Sequence, residues 1–248
     1  MDLSLPDRVL WLASAALAAV LIARIFQQRL FTLPFNSFAC MLGVVVVRDV
    51  LLSIPHFKTH AYAATWEWSL PALLVAQMWA GLDTLRAVAR LYPEIGKLAV
   101  RIFLSCLATT ITICCLSLPF ELHHLAGEET LLRSLFLLHR CVDGWIAGTL
   151  ILVAAFFARF PAPVKQPPRN LVIHTVLLSV YFSGYAVLFI AENLAPLGAV
   201  ASVERIQLLL VVVLYTIWAI CLSKKGERSE PWPQIDVILL KKTLGQLN

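Results

Sequence analysis

Of the 248 residues, 60% are apolar and 14% charged, the mean hydropathy is +0.81 and the formal net charge is +5. Soluble domains carry about 25% charged residues, so this composition describes an all-α integral membrane protein. Seven spans would take about 140 residues and leave about 100 for loops and tails. That excludes a kinase, nuclease or nucleotide-binding domain within these residues, and basic side chains that flank apolar runs point to membrane topology, not to nucleic acid.

In chain order, the apolar runs predict a seven-helix bundle with spans at about 8–26, 35–54, 64–88, 98–118, 131–158, 171–191 and 205–222. The first run contains Leu12-Ala13-Ser14-Ala15-Ala16, which resembles a signal peptide. Asp2, Asp7 and Arg8 precede it, however, and Arg24 and Arg29 follow, the reverse of a signal-peptide bias, so it reads as a retained helix. Pro34, Pro55, Pro93, Pro119, Pro161 and Pro196 fall between runs, where proline ends a helix without orphaning backbone groups in lipid. Pro71 alone lies inside a run, and either kinks the third helix or marks its first turn.

Sorting Lys and Arg by side sets the expected orientation. Arg24, Arg29, Arg86, Arg90, Lys97, Arg101, Arg159, Lys165, Arg169, Lys224, Lys225, Arg228, Lys241 and Lys242 fall on one side, against Arg8, Lys58, Arg133 and Arg205 on the other. This bias predicts an N-terminus outside and a C-terminus in the cytoplasm. The cytoplasmic tail, 223–248, carries an apolar segment from Ile235 to Leu244 with Lys241 and Lys242 at its edge. It predicts a short amphipathic helix that lies on the anionic inner leaflet, or docks on a cytoplasmic or membrane protein partner.

Ionisable side chains inside spans are costly and need partners. Arg48 and Asp49 lie roughly 5 to 7 Å outward of the middle of the second span, and Arg140 lies about 7 Å outward in the fifth. His139, Arg140 and Asp143 share one helical flank, and Glu67 is available to the same layer. On the sixth span His174, Tyr181, Tyr185 and Glu192 line one face. These residues either form a ligand site open to the outside or serve as ion pairs and tyrosine bonds that fix helix packing. Gly144 and Gly148 predict close approach of another helix.

His56 and His60, with His123 and His124 in the next outer loop, could meet around a metal ion, although solvated loop histidines explain them as well. Cys40, Cys106, Cys114, Cys115, Cys141 and Cys221 all lie in spans and read as small apolar residues. No cofactor is expected. A retinal Schiff base needs a lysine in the last span, and Ile206 to Leu222 has none. A bis-histidine haem needs two histidines at one depth, whereas His139 lies outward and His174 inward. No catalytic motif is present, so no enzymatic activity is expected.

The stretch from Leu131 to Asn193, with Leu132-Arg133-Ser134, Phe157-Ala158-Arg159-Phe160, Arg169-Asn170 before His174, and Tyr181-Phe182, resembles uncharacterised seven-helix proteins of the bacterial inner membrane. The resemblance covers a quarter of the chain; it implies an inner-membrane location and brings no activity. Likeness to G-protein-coupled receptors ends at helix count and orientation, because Asp83-Thr84-Leu85-Arg86 is no Asp-Arg-Tyr and the last span has no Asn-Pro-x-x-Tyr. Two functions follow as expectations. One is a sensor or membrane subunit whose outer polar layer takes the input and whose basic face and tail meet a partner, with a homo-oligomer compatible. The other is a small-solute transporter that uses the charged layer as its substrate site.

Overall fold

Residues 5–53, 60–91, 96–97, 100–101, 103–105, 108, 141–146, 148–149, 167–194 and 200–227 are described by a computed structural model, and every regular element among them is helical. The long helices are α1 (Leu5–Gln27), α2 (Phe35–Ser53), α3 (His60–Ala89), α4 (Arg169–Leu194) and α5 (Val200–Cys221), followed by a 3₁₀ turn at Lys224–Glu227. A short helical stretch at 141–146 packs beside α3.

Among the described residues, three segments are long and apolar enough to cross a membrane: Arg8–Gln27, Phe35–Ser53 and Arg169–Leu188, with mean hydropathies of 2.2, 1.8 and 1.8. Each has room for the roughly 20 residues that a hydrocarbon core of about 30 Å requires. The apolar part of α5, Arg205–Cys221, is shorter. At 30 residues α3 is the longest of the described helices, but Glu67, Gln77, Asp83 and Arg86 interrupt its apolar character.

Polar residues sit in these apolar helices by bonding to their own backbone. The hydroxyls of Thr84, Thr175, Ser179 and Thr216 donate to the carbonyls of Ala80, Leu171, Thr175 and Val212, four residues back, at 2.7–2.8 Å. Each hydroxyl proton is thereby satisfied within its own helix. Pro71 lies eleven positions into α3, which settles the choice left open above: it is an interior proline, not a first-turn one. The carbonyl of Glu67 therefore lacks its ordinary helical donor.

α1 ends in a Schellman motif. Arg29 adopts φ 54°, its N–H donates to the Phe26 carbonyl at 3.0 Å, and the Leu30 N–H reaches back to the Ile25 carbonyl at 3.0 Å. Ile25 and Leu30, the residues such a cap brings together, are both buried. The chain then enters α2 through a cis Leu33–Pro34 peptide, with the Ser37 hydroxyl on the Pro34 carbonyl.

The helices close a ring in the order α3, α2, α1, α5, α4, with α3 and α4 completing it through a smaller contact. Its core holds Leu21, Ile25, Phe35, Phe38, Met41, Leu42, Leu70, Ile146, Leu178, Phe182, Leu214 and Trp218. The outward faces are apolar too: Leu12, Val187 and Ile220 are 63, 63 and 71% exposed. Helices that are apolar all round suit lipid contact.

A Cβ on Gly144 or Gly148 would meet nothing within 4 Å among the described residues, whereas one on Gly81 of α3 would lie 3.0 Å from Ile146, which makes Gly81 a close-approach point.

Candidate functional site

Cross-helix contacts give the ring two distinguishable ends. Thr84 near the end of α3 meets His174 near the start of α4, Phe38 on α2 meets Trp218 on α5, and Arg24 on α1 meets Leu222 after α5. The C-terminal ends of α1, α3 and α5 therefore gather with the N-terminal ends of α2 and α4. That end carries Arg24, Arg29, Arg86, Arg90, Arg169, Lys224 and Lys225, and is called the basic end below.

In the opposite half, Arg48 and Asp49 are neighbours in sequence but project about 100° apart around α2. They consequently engage different helices. The Arg48 Nε donates to Ser69 Oγ on α3 at 3.1 Å, and the guanidinium lies over the Trp66 ring, 5.1 Å from its centroid. Asp49 accepts a hydrogen bond from the Trp11 side chain on α1. The charges of Arg48 and Asp49 still attract across this short separation. Glu67, one residue from Trp66, is half-buried, and its carboxylate makes no ion pair with another described residue.

Next to this layer stands a tyrosine cluster. Tyr181 and Tyr185, four apart on α4, have ring centroids 4.7 Å apart and hydrogen-bonded hydroxyls, and Tyr181 stacks on Tyr215 of α5 at 6.4 Å. Asp143, fully buried, is an electrostatic neighbour of both Tyr181 and Tyr185. The structure thus brings Arg48, Asp49, Asp143, Tyr181 and Tyr185 into one region, and adds Trp11, Trp66, Ser69 and Tyr215 to it. His56, His123, His124, His139 and Arg140 lie outside the described residues, as do the side chains of His60 and Glu192.

Toward the basic end the core stays polar. Gln77, Thr84, Asn170 and His174 are fully buried, and Asp83 nearly so. Asp83 pairs with Arg86 at 3.1 Å, one turn along α3. His174 Nε2 lies 3.2 Å from Thr84 Oγ1, within a wall of Phe35, Phe38 and Trp218 whose centroids are 5.3, 4.7 and 5.9 Å away. His174 and Tyr181 therefore share a face of α4 but belong to different neighbourhoods.

At the very end of the ring a clasp joins three helices. Asn170 Nδ2 donates to the Ser223 carbonyl at 2.7 Å, and its Oδ1 accepts from the Ser223 N–H at 3.4 Å. Arg24 Nε donates to the Leu222 carbonyl at 3.2 Å, and the Lys224 N–H donates to Gln28 Oε1 at 3.1 Å. Arg24 thereby satisfies the Leu222 carbonyl, which the end of α5 would otherwise leave orphaned, and Asn170 adds a second donor to the Ser223 carbonyl, which also accepts from the Gly226 N–H at 3.0 Å. Gly226 sits so close to Asn170 Oδ1 that any Cβ there would overlap it. One signal of the clasp was legible: Asn170 precedes His174 by four and so extends the polar face of α4 by a turn. Nothing marked Ser223 or Gln28, because their partners lie 53 and 196 positions away.

No family model, no curated protein and no solved structure matches the chain.

Proposed function

We propose that the chain is a seven-span bundle of the bacterial inner membrane, N-terminus outside and C-terminus cytoplasmic, acting as a non-enzymatic sensor or membrane subunit. What carries the reading is the separation of polar groups within the ring. Arg48, Asp49, Asp143 and the tyrosines form a layer between helix flanks in one half, and basic side chains collect at the opposite end. On this reading a small polar or charged ligand from outside alters how α2 meets α3 and α1 at Arg48 and Asp49. α1 and α5 pass the change to the clasp, and the basic end and tail present it to a partner. Arginines and lysines at a cytoplasmic end also hold that end to anionic headgroups.

The test is native mass spectrometry on the full chain, extracted in mild detergent from its own membrane. A second polypeptide retained with the 27.6 kDa chain, and lost when Ile235 to Asn248 are deleted, is the expected result. Orientation is read separately: alkaline phosphatase fused after Ala126 is active and the same reporter fused after Asn248 is not.

A specific observation favours a second reading, small-solute transport. Gln77, Thr84, His174 and Asn170 continue the polar character of the core from the tyrosine cluster to the basic end, as a substrate route requires. A chain that purifies without a second polypeptide but with a bound small molecule, and whose tail deletion leaves uptake intact, moves transport to first place.

A further inference from the structure

We infer that the core between α2, α4 and α5 holds a binding site for an uncharged hydroxyl group, bridging His174 Nδ1 and Trp218 Nε1. The argument begins with the proton on His174. Thr84 Oγ1 lies 2.7 Å from the Ala80 carbonyl, which has only lone pairs to offer, so the single hydroxyl proton of Thr84 is committed there. The Thr84 oxygen then meets His174 Nε2, 3.2 Å away, as an acceptor, which places the imidazole proton on Nε2. His174 Nδ1 is left as a bare lone pair that needs a donor.

Trp218 presents the opposite need. Its indole nitrogen can only donate, and it has no acceptor among the described residues, just as His174 Nδ1 has no donor. Both side chains are fully buried, and their ring centroids are 5.9 Å apart. They do not bond each other directly. One oxygen making two hydrogen bonds of about 2.8 Å each can bridge nitrogens up to about 5.6 Å apart, and the two rings are neighbours in the same aromatic cluster.

The chemistry of the occupant follows from this pair. It must donate to Nδ1 and accept from Nε1–H at one atom. A carboxylate lacks the proton, a hydrogen phosphate brings charge, and an ammonium group lacks the lone pair. The wall of Phe35 and Phe38 solvates no charge. A neutral hydroxyl meets every condition, supplied either by water or by a small alcohol or polyol. This site lies away from the Arg48 layer and does not rest on the sensor or transport reading.

The experiment is X-ray radiolysis of the folded full chain in ¹⁸O-labelled water, with residue-resolved mass spectrometry, beside native mass spectrometry of the same sample. With water as the occupant, ¹⁸O enters Trp218 and Phe38 well above Phe182, a buried apolar neighbour on α4. His174→Phe abolishes the label at Trp218, and Trp218→Phe abolishes it at Phe38. With an organic hydroxyl as the occupant, the ¹⁸O label is absent, and a small-molecule adduct is retained by the wild type and lost from both variants. Absence of both the label and the adduct in the folded wild type overturns the site. So does a label at Trp218 that persists in His174→Phe that remains folded by circular dichroism.

Discussion

The clasp at the basic end and the Arg48 layer in the opposite half both use polar side chains across helices, but they stabilise different things. The clasp bonds side chains to backbone: Asn170 to both amide groups of Ser223, Arg24 to the Leu222 carbonyl, Gln28 to the Lys224 N–H. Backbone groups at a helix end have no intrahelical partner, so removing the side chain strands the Ser223 N–H and the Leu222 carbonyl, while the Ser223 carbonyl keeps the Gly226 N–H. The Arg48 layer bonds side chain to side chain, and what it loses on mutation depends on how the remaining partner readjusts. One region ties helix ends through backbone groups, and the other ties helix flanks through side chains alone.

The largest expected effect tests the clasp. Asn170→Ala should lower the unfolding free energy by about 1–3 kcal/mol, because the part-buried Ser223 N–H loses its partner while the Ser223 carbonyl keeps only the Gly226 N–H. Denaturant titration in mild detergent measures it, and a loss well below 1 kcal/mol would remove the clasp from the comparison. Gly226→Ala should act in the same direction, since its Cβ displaces the Asn170 amide.

In the layer, Arg48→Ala loses the Ser69 hydrogen bond and the Trp66 ring contact. The expected cost is about 1–2 kcal/mol, given roughly 0.5–2 kcal/mol for a partly desolvated cation–π pair. Ser69→Ala should account for part of it, and a double-mutant cycle separates the hydrogen bond from the ring contact. Additive losses in that cycle would mean that Arg48 and Ser69 are not energetically coupled.

Arg29→Gly reverses the sign. Arg29 occupies the left-handed region at the end of α1, where a side chain costs about 1 kcal/mol that glycine does not. The variant should gain up to about that amount in the same titration, and a loss would mean that the Arg29 side chain contributes contacts worth more than the backbone strain. The smallest effect is expected from Gly144→Ala, within about 0.5 kcal/mol of the wild type, because nothing described lies within 4 Å of the new methyl. Gly81→Ala, pressed on Ile146, should be the more destabilising of the two glycine variants in a side-by-side melt.

Helix positions were legible because they depend on local pattern. The apolar runs read at 35–54 and 171–191 correspond to α2 at Phe35–Ser53 and α4 at Arg169–Leu194, and the same local features place the turn at Leu33–Pro34. Hydropathy over some 20 residues and a proline between runs are properties of the chain itself. So is a shared helical face, which is why His174, Tyr181 and Tyr185 could be grouped before any packing was known.

Partner choice was decided by tertiary structure. Composition marks Arg48 as a charge in need of a partner, and an acid such as Glu67 is the natural candidate in sequence. Packing gives it Ser69 and Trp66 instead, because these two, three apart, share a flank of α3 from which Glu67 projects about 100° away. Likewise Gly81, which no small-residue spacing singles out, is pressed on Ile146. The pairings of Asn170 with Ser223, Thr84 with His174 and Phe38 with Trp218 join positions far apart in the chain. Apolar periodicity sets which stretches are helical and which faces are polar, while the rotation and depth at which each helix meets its neighbours come from side-chain interlocking across the whole ring, which no local window of the sequence contains.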